Sequence, residues 1–294
     1  MVNPALLRGS IYGITAASLW GSMYVVSDVT LLVLPPFTLL SLRLVLALLV
    51  LLPLAWRHGL AKPNLPNLLR MLAVGVVGIG ISLGAQFVGT DLSNAINGAL
   101  VTSASPAFVV LFAIIILRER LTGWRFFAIV LATAGVLAIL DFPSADFAAD
   151  TFLGDLFLAF AALTWGLYSA LVRLLALRYP QPTLTVTVFA LLGGLLVSLP
   201  ASLLELSQDP LGALDAGIVA AVLYLGLVCT AFALLLWNRA FALVPASVAS
   251  LFFFAQPFTG AALAGLLLGQ QMSASLWLGG LLIVVGVLIS LRAG

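Results

Sequence analysis

Long apolar stretches separated by short polar interruptions run the length of this 294-residue chain. Ten can be drawn, at 9–29, 36–56, 68–89, 95–117, 123–141, 153–177, 183–205, 214–237, 246–268 and 274–292. Each has roughly the 20 residues a helix needs to cross about 30 Å of hydrocarbon at 1.5 Å per residue. Lipid offers open backbone groups no partner, and the runs are too long for barrel strands, so all ten are predicted as transmembrane helices. Most connections are short, which makes successive helices antiparallel neighbours. The loop at 57–67 is polar and broken by Pro63 and Pro66.

The polar positions then orient the chain. With the N-terminus inside, eleven of the twelve Lys and Arg fall at cytoplasmic ends: Arg8; Arg57, Lys62 and Arg70; Arg118, Arg120 and Arg125; Arg173 and Arg178; Arg239; Arg292. No outer loop carries either residue. Nine of the ten acids lie toward the outer side, and Glu119 is the exception. Lys and Arg retained inside are the standard orientation signal. Both termini are therefore expected in the cytoplasm, in a bacterial cytoplasmic (inner) membrane.

Composition agrees. Hydrophobic residues make up 63% of the chain and charged residues 7%, against about 25% charged in a soluble domain. A net charge of +2 does not point to nucleic acid, because the basic residues are spread over separate helix ends and form no patch. Cys229 is the single cysteine, which excludes an intrachain disulfide, and reads as a small core residue. The first apolar run is too long for the core of a cleavable signal and leads straight into the next span. The short extensions at the ends leave no expectation of a further soluble domain.

The chain repeats internally. Residues 19–39 resemble 164–184 at an offset of 145, pairing Trp20 with Trp165, Gly21 with Gly166, Pro35 with Pro180 and Thr38 with Thr183. Residues 95–140 resemble 246–291 at an offset of 151, pairing Ala95 with Ala246, Pro106 with Pro257, Ala113 with Ala264 and Leu117 with Leu268. The unit is five helices, at 1–141 and again at 153–294. Five is odd, so the two copies enter the membrane in opposite directions. Inverted repeats of this kind are a common plan of secondary transporters, with substrate held near the midplane between the halves. Arg118-Glu119-Arg120 corresponds to Gly269-Gln270-Gln271, so the charges disappear where a positive cluster would oppose the orientation.

The pattern Trp20-Gly21, Arg43, Ser105-Pro106 and Leu117-Arg118-Glu119-Arg120-Leu121-Thr122 ahead of a Gly135-containing helix resembles the drug/metabolite transporter superfamily, EamA type. The likeness covers nearly all of the chain and both halves. Within that superfamily it resembles bacterial aromatic amino-acid exporters of the YddG kind. The resemblance implies an exporter of aromatic and other neutral amino acids. The second half departs from the usual Gly-Glu pair, showing Gly269-Gln270.

Polar and aromatic residues inside spans are the candidate site. Trp20, Met23 and Tyr24 share one side of the first helix at i, i+3, i+4 spacing, and Trp165 and Tyr168 repeat that spacing in the sixth. All lie mid-span, away from the interfaces where Trp and Tyr usually anchor. They read as a mixed cavity wall or as packing bulk. Gln86, Asn97 and Gln256 could bond an amino or carboxylate group, or simply join helices. Trp237 and Asn238 read as markers of the cytoplasmic interface. Pro106 and Pro257 sit mid-span at repeat-related positions and are candidate hinges, or static bends. Arg43 lies about 10 Å below the outer boundary at helical rise. A charge there must face the bundle interior or a water-filled cavity. It is either a counter-ion for a substrate carboxylate or a structural group paired with helix-end carbonyls or Asp28. The structural role is preferred, because the superfamily carries Arg here across unlike substrates. Gly9, Gly13, Ala17 and Gly21, and Gly80 with Gly84, form small-residue stripes for close helix contact.

No His-rich, paired-Asp or Ser/His/Asp set occurs within a span, and no nucleotide-binding Gly-rich loop is present. Neither an enzyme nor a bound cofactor or metal is expected. No acid stands at a span centre to relay a proton. The reading is a secondary transporter working by alternating access on a small-molecule substrate. Broad-specificity metabolite or drug efflux is the alternative within transport, and a passive channel or intramembrane enzyme the alternative outside it. The partners expected are the substrate and the lipid bilayer, with no nucleic acid and a monomer plausible.

Overall fold

Two side chains start two distant helices in the same way. Asn64 accepts a hydrogen bond from the Asn67 amide at 3.1 Å, and Asp215 accepts one from the Ile218 amide at 2.8 Å. Both are extended N-caps, which satisfy an otherwise open donor of the first turn and contribute about 1 kcal/mol each. They stand 151 positions apart, since 64 + 151 = 215. The helices they open both widen to π-helix in their middles, at Val76–Ser82 and Leu225–Phe232, within two residues of the same offset.

The computed structural model describes residues 4–58, 60, 62–93, 101–102, 104–139, 151–208 and 211–256, with isolated positions beyond. Among the described residues the structure is all helical, with no strand. In chain order the helices are α1 (Pro4–Gly21), α2 (Met23–Leu31), α3 (Pro36–Arg57), α4 (Leu65–Leu92), α5 (Ser105–Leu117), α6 (Gly123–Ile139), α7 (Phe152–Arg178), α8 (Thr183–Gln208), α9 (Ala216–Leu243) and the short α10 (Ala246–Ala249), which continues as a 3-10 turn, Ser250–Phe254. Five of them, α3, α4, α7, α8 and α9, are long and apolar enough to cross a membrane.

The first predicted span, 9–29, is not one helix. It breaks at Ser22, whose hydroxyl turns back to the Leu19 carbonyl at 2.9 Å and meets the Tyr224 hydroxyl at 2.6 Å. A side chain bonding its own preceding turn competes with the helical ladder. Within the fourth predicted span, 95–117, helix α5 starts at Ser105, with Pro106 in its first turn. Proline is tolerated there because its missing N–H would be unpaired in any case.

Helix α3 lies along α8, α1 along the C-terminal part of α9, and the C-terminal part of α4 along α7. Small residues permit this. A Cβ on Gly75 would overlap the Ala190 carbonyl, and one on Gly193 the Leu72 carbonyl, so α4 and α8 meet backbone to backbone. On α1, a Cβ on Gly13 would run into the Phe252 ring. Outward faces remain apolar: Leu49, Leu196, Leu203 and Leu204 are exposed, as a lipid-facing surface requires.

Two carboxylates tie helix starts to distant helix ends. Glu205, near the end of α8, accepts from the Phe37 and Thr38 amides at 2.9 and 2.8 Å and from the Thr38 hydroxyl at 3.0 Å. Glu119, just past α5, accepts from the Ala246 and Ser247 amides and the Ser247 hydroxyl at the start of α10. Each neutralises the positive end of a helix dipole while filling its open donors.

Candidate functional site

The break in α1/α2 and the π turn of α9 face each other. Trp20 ends α1, and its indole N–H donates to the Cys229 carbonyl in the π turn at 2.8 Å. Thr230, next along, donates its hydroxyl to the Leu225 carbonyl five residues back, at 2.8 Å. The Thr230 hydroxyl oxygen accepts in turn from Arg43 Nε at 3.0 Å. A wider turn thus presents one carbonyl and one hydroxyl inward, in keeping with the frequent placement of π segments at functional sites.

Around these groups lies a narrow cavity of about 30 Å³. It is walled by Trp20, Met23, Tyr24, Arg43, Gln86, Trp165 and Gln256, with Leu83, Thr102, Ser105, Ala161, Ala162, Cys229, Thr230, Leu234 and Phe253. The site is tight: Arg43 is 1% exposed and Gln86 9%. Tyr24 and Thr102 join their hydroxyls across α2 and the residues ahead of α5. Arg43 further donates from Nη2 to the Met23 sulfur at 3.3 Å, and its guanidinium lies 4.9 Å from the Phe87 ring centre. Neither a helix-end carbonyl nor a described carboxylate is among its partners, and the Asp28 side chain lies outside the described residues.

The aromatic rings of the wall join Trp237 in one cluster. Trp20 meets Trp165 edge-on at 5.4 Å and Trp237 at 5.1 Å, and Trp237 meets Phe253 at 4.5 Å, separations and tilts that suit ring quadrupoles. Trp237 and Asn238 do not mark an interface. Both are fully buried, because the turn of α9 that carries them faces α7 and α8. Asn238 accepts from the Tyr168 hydroxyl at 2.8 Å and donates to Thr187 at 3.0 Å. Tyr168 thus stands behind Trp165, 5.0 Å from its ring, and does not line the cavity. Pro106 is buried beside the lining residue Ser105. Asn97 and Pro257 lie outside the described residues.

Several wall residues have no mention in the reading from sequence, yet the repeat pointed to them. Offset 151 pairs Leu83 with Leu234, Thr102 with Phe253 and Ser105 with Gln256, and offset 145 pairs Trp20 with Trp165. All eight line the cavity. Thr230 carries no such signal, since its equivalent at offset 151 is Ile79. Basic helix ends also have structural work: Arg173 donates to the Phe241 and Ala242 carbonyls at the end of α9, and Arg70 lies 3.9 Å over the Tyr179 ring.

The profile of the EamA-like transporter family matches residues 7–141 and again 152–292. An uncharacterized transporter of Archaeoglobus fulgidus is 25% identical over 274 residues, covering 92% of this chain and 93% of its own. The uncharacterized inner membrane transporter YicL of Salmonella typhimurium is 26% identical over 298 residues, covering 96% and 94%. A crystal structure superposes with a TM-score of 0.81 over 96% of this chain and 95% of its own, at 22% identity, which speaks for the fold alone. With its all-helical body, membrane-length apolar helices and polar cavity, the chain belongs to the EamA-like transporter family of the drug/metabolite transporter superfamily, and is a multi-pass membrane transporter.

Proposed function

We propose that this protein exports aromatic and other neutral amino acids across the bacterial inner membrane by alternating access. In this reading ten spans form two inverted five-helix repeats with both termini cytoplasmic. Trp20, Met23, Tyr24, Gln86, Asn97, Trp165 and Gln256 hold the substrate, Tyr168 backs Trp165, and Pro106 and Pro257 act as hinges. The observation that carries the reading is the cavity wall, where aromatic rings meet polar groups contributed by both halves. An aromatic side chain fits the first and the amino and carboxylate groups fit the second. The tightness of the cavity suits a carrier, in which helices must move to admit and release substrate.

Counterflow of labelled phenylalanine in liposomes tests this. Each aromatic pair contributes roughly 0.5–1.5 kcal/mol beyond area burial, so Trp165→Ala should weaken phenylalanine competition about tenfold or less. Alanine should be affected less. Equal loss for both substrates in folded protein would mean that the ring does not read the aromatic side chain. Broad metabolite efflux is the second reading, and Met23 favours it, because an unbranched thioether adapts to many shapes.

A further inference from the structure

The cavity wall holds two buried hydrogen-bond donors with no partner among the described residues. Among the described residues, Arg43 Nη1 and Trp165 Nε1 are both buried without a partner, and both residues line the cavity. Each such group left unpaired is costly, the charged one more so. The remaining donors of Arg43 are fixed: Thr230 takes Nε and Met23 takes Nη2. Thr230 is itself held by the Leu225 carbonyl, so the guanidinium has a set orientation with one edge left open.

The opposite chemistry is missing. No described residue of the wall is Asp or Glu. The sequence has no acid between Asp91 and Glu119, and none after Asp215. A ligand's carboxylate therefore meets a cation and an indole N–H, whereas a ligand's ammonium meets only neutral acceptors such as Gln86 and Gln256. A buried cation with no carboxylate partner among the described residues favours a ligand that supplies a whole negative charge.

We infer that Arg43, oriented by Thr230 and assisted by Trp165, anchors the substrate's carboxylate, and that the cavity selects organic monocarboxylates in which an α-amino group is dispensable. The inference deepens the substrate reading given above and rests on the same cavity. It takes the counter-ion role for Arg43 over the purely structural one.

An analogue series on the unmodified protein tests it. 3-Phenylpropionate, phenylalanine and phenylalaninamide share the ring and differ in charged groups. Each is measured for competition against labelled phenylalanine in liposomes and for thermal stabilisation of the purified protein. 3-Phenylpropionate should act at least as strongly as phenylalanine, and phenylalaninamide at least about tenfold more weakly, the size of one lost charge-assisted bond. Arg43→Lys should keep that preference in weakened form, and Arg43→Gln should abolish it. If phenylalanine is not carried but 3-phenylpropionate still stabilises the protein, amino-acid export is wrong and the anion site stands. Equal action of acid and amide, as expected if Asp28 already neutralises Arg43, overturns the site. So does a lack of stabilisation by any carboxylate.

Discussion

Glu119 is the one acid among the basic helix ends, and its removal should release one end of the bundle. Its carboxylate takes three donors from the start of α10, at 2.9, 3.1 and 2.8 Å. Cap substitutions cost about 0.5–2 kcal/mol and hydrogen bonds to charged groups contribute about 1.5–3, so about 2 kcal/mol is at stake in Glu119→Ala. At 1.4 kcal/mol per decade, the balance between clamped and released states moves by up to about 30-fold. The start of α10 leads into the segment whose Phe252 packs on Gly13 and whose Phe253 lines the cavity. Release should therefore admit reagents to the cavity from the basic face. A reporter thiol at Ala162, a small wall residue 1% exposed, placed on a Cys229→Ser background, makes that measurable. Maleimide labelling in sealed inside-out vesicles should quicken by up to about 30-fold in Glu119→Ala. Glu119→Gln should show a smaller effect, because an amide oxygen still accepts. An unchanged labelling rate together with unchanged thermal stability would refute the idea that this carboxylate holds the end shut.

Orientation is tested by single cysteines on the same background: Lys62→Cys should label only from the cytoplasm and Ala213→Cys only from outside, and the reverse pattern would invert the assignment. The indoles of the cluster separate packing from hydrogen bonding. Trp20→Phe breaks the bond to the Cys229 carbonyl, while Trp237→Phe removes an N–H that has no partner among the described residues. In thermal melts Trp20→Phe should be the less stable variant by about 1–2 kcal/mol, and equal stability would show that the Trp20 bond contributes nothing net.

Helical runs, their small-residue contacts and the repeat were legible in the sequence because each leaves a local trace. Apolar length follows from bilayer thickness, and glycine spacing follows from how near two backbones must come. The shared identity of Trp20 and Trp165, and the offsets that relate Leu83 to Leu234 and Thr102 to Phe253, are properties of the chain alone. Membership of the EamA-like family was legible in the same way, since its motifs are short and contiguous. What the tertiary structure decided is which groups meet across large sequence separations. Glu119 reads as an anomaly of charge until α10 is seen to begin against it, 127 residues away. Arg43 reads as a cation paired with helix-end carbonyls or Asp28, whereas its described partners are Thr230, 187 residues on, and Met23. Trp237 reads as an interfacial ring until α9 is seen to turn it into the core. Hydropathy and spacing report the medium around a segment and the face a residue shares. Partnership between polar groups depends on distances of about 3 Å fixed by how helices pack, and no local pattern encodes those.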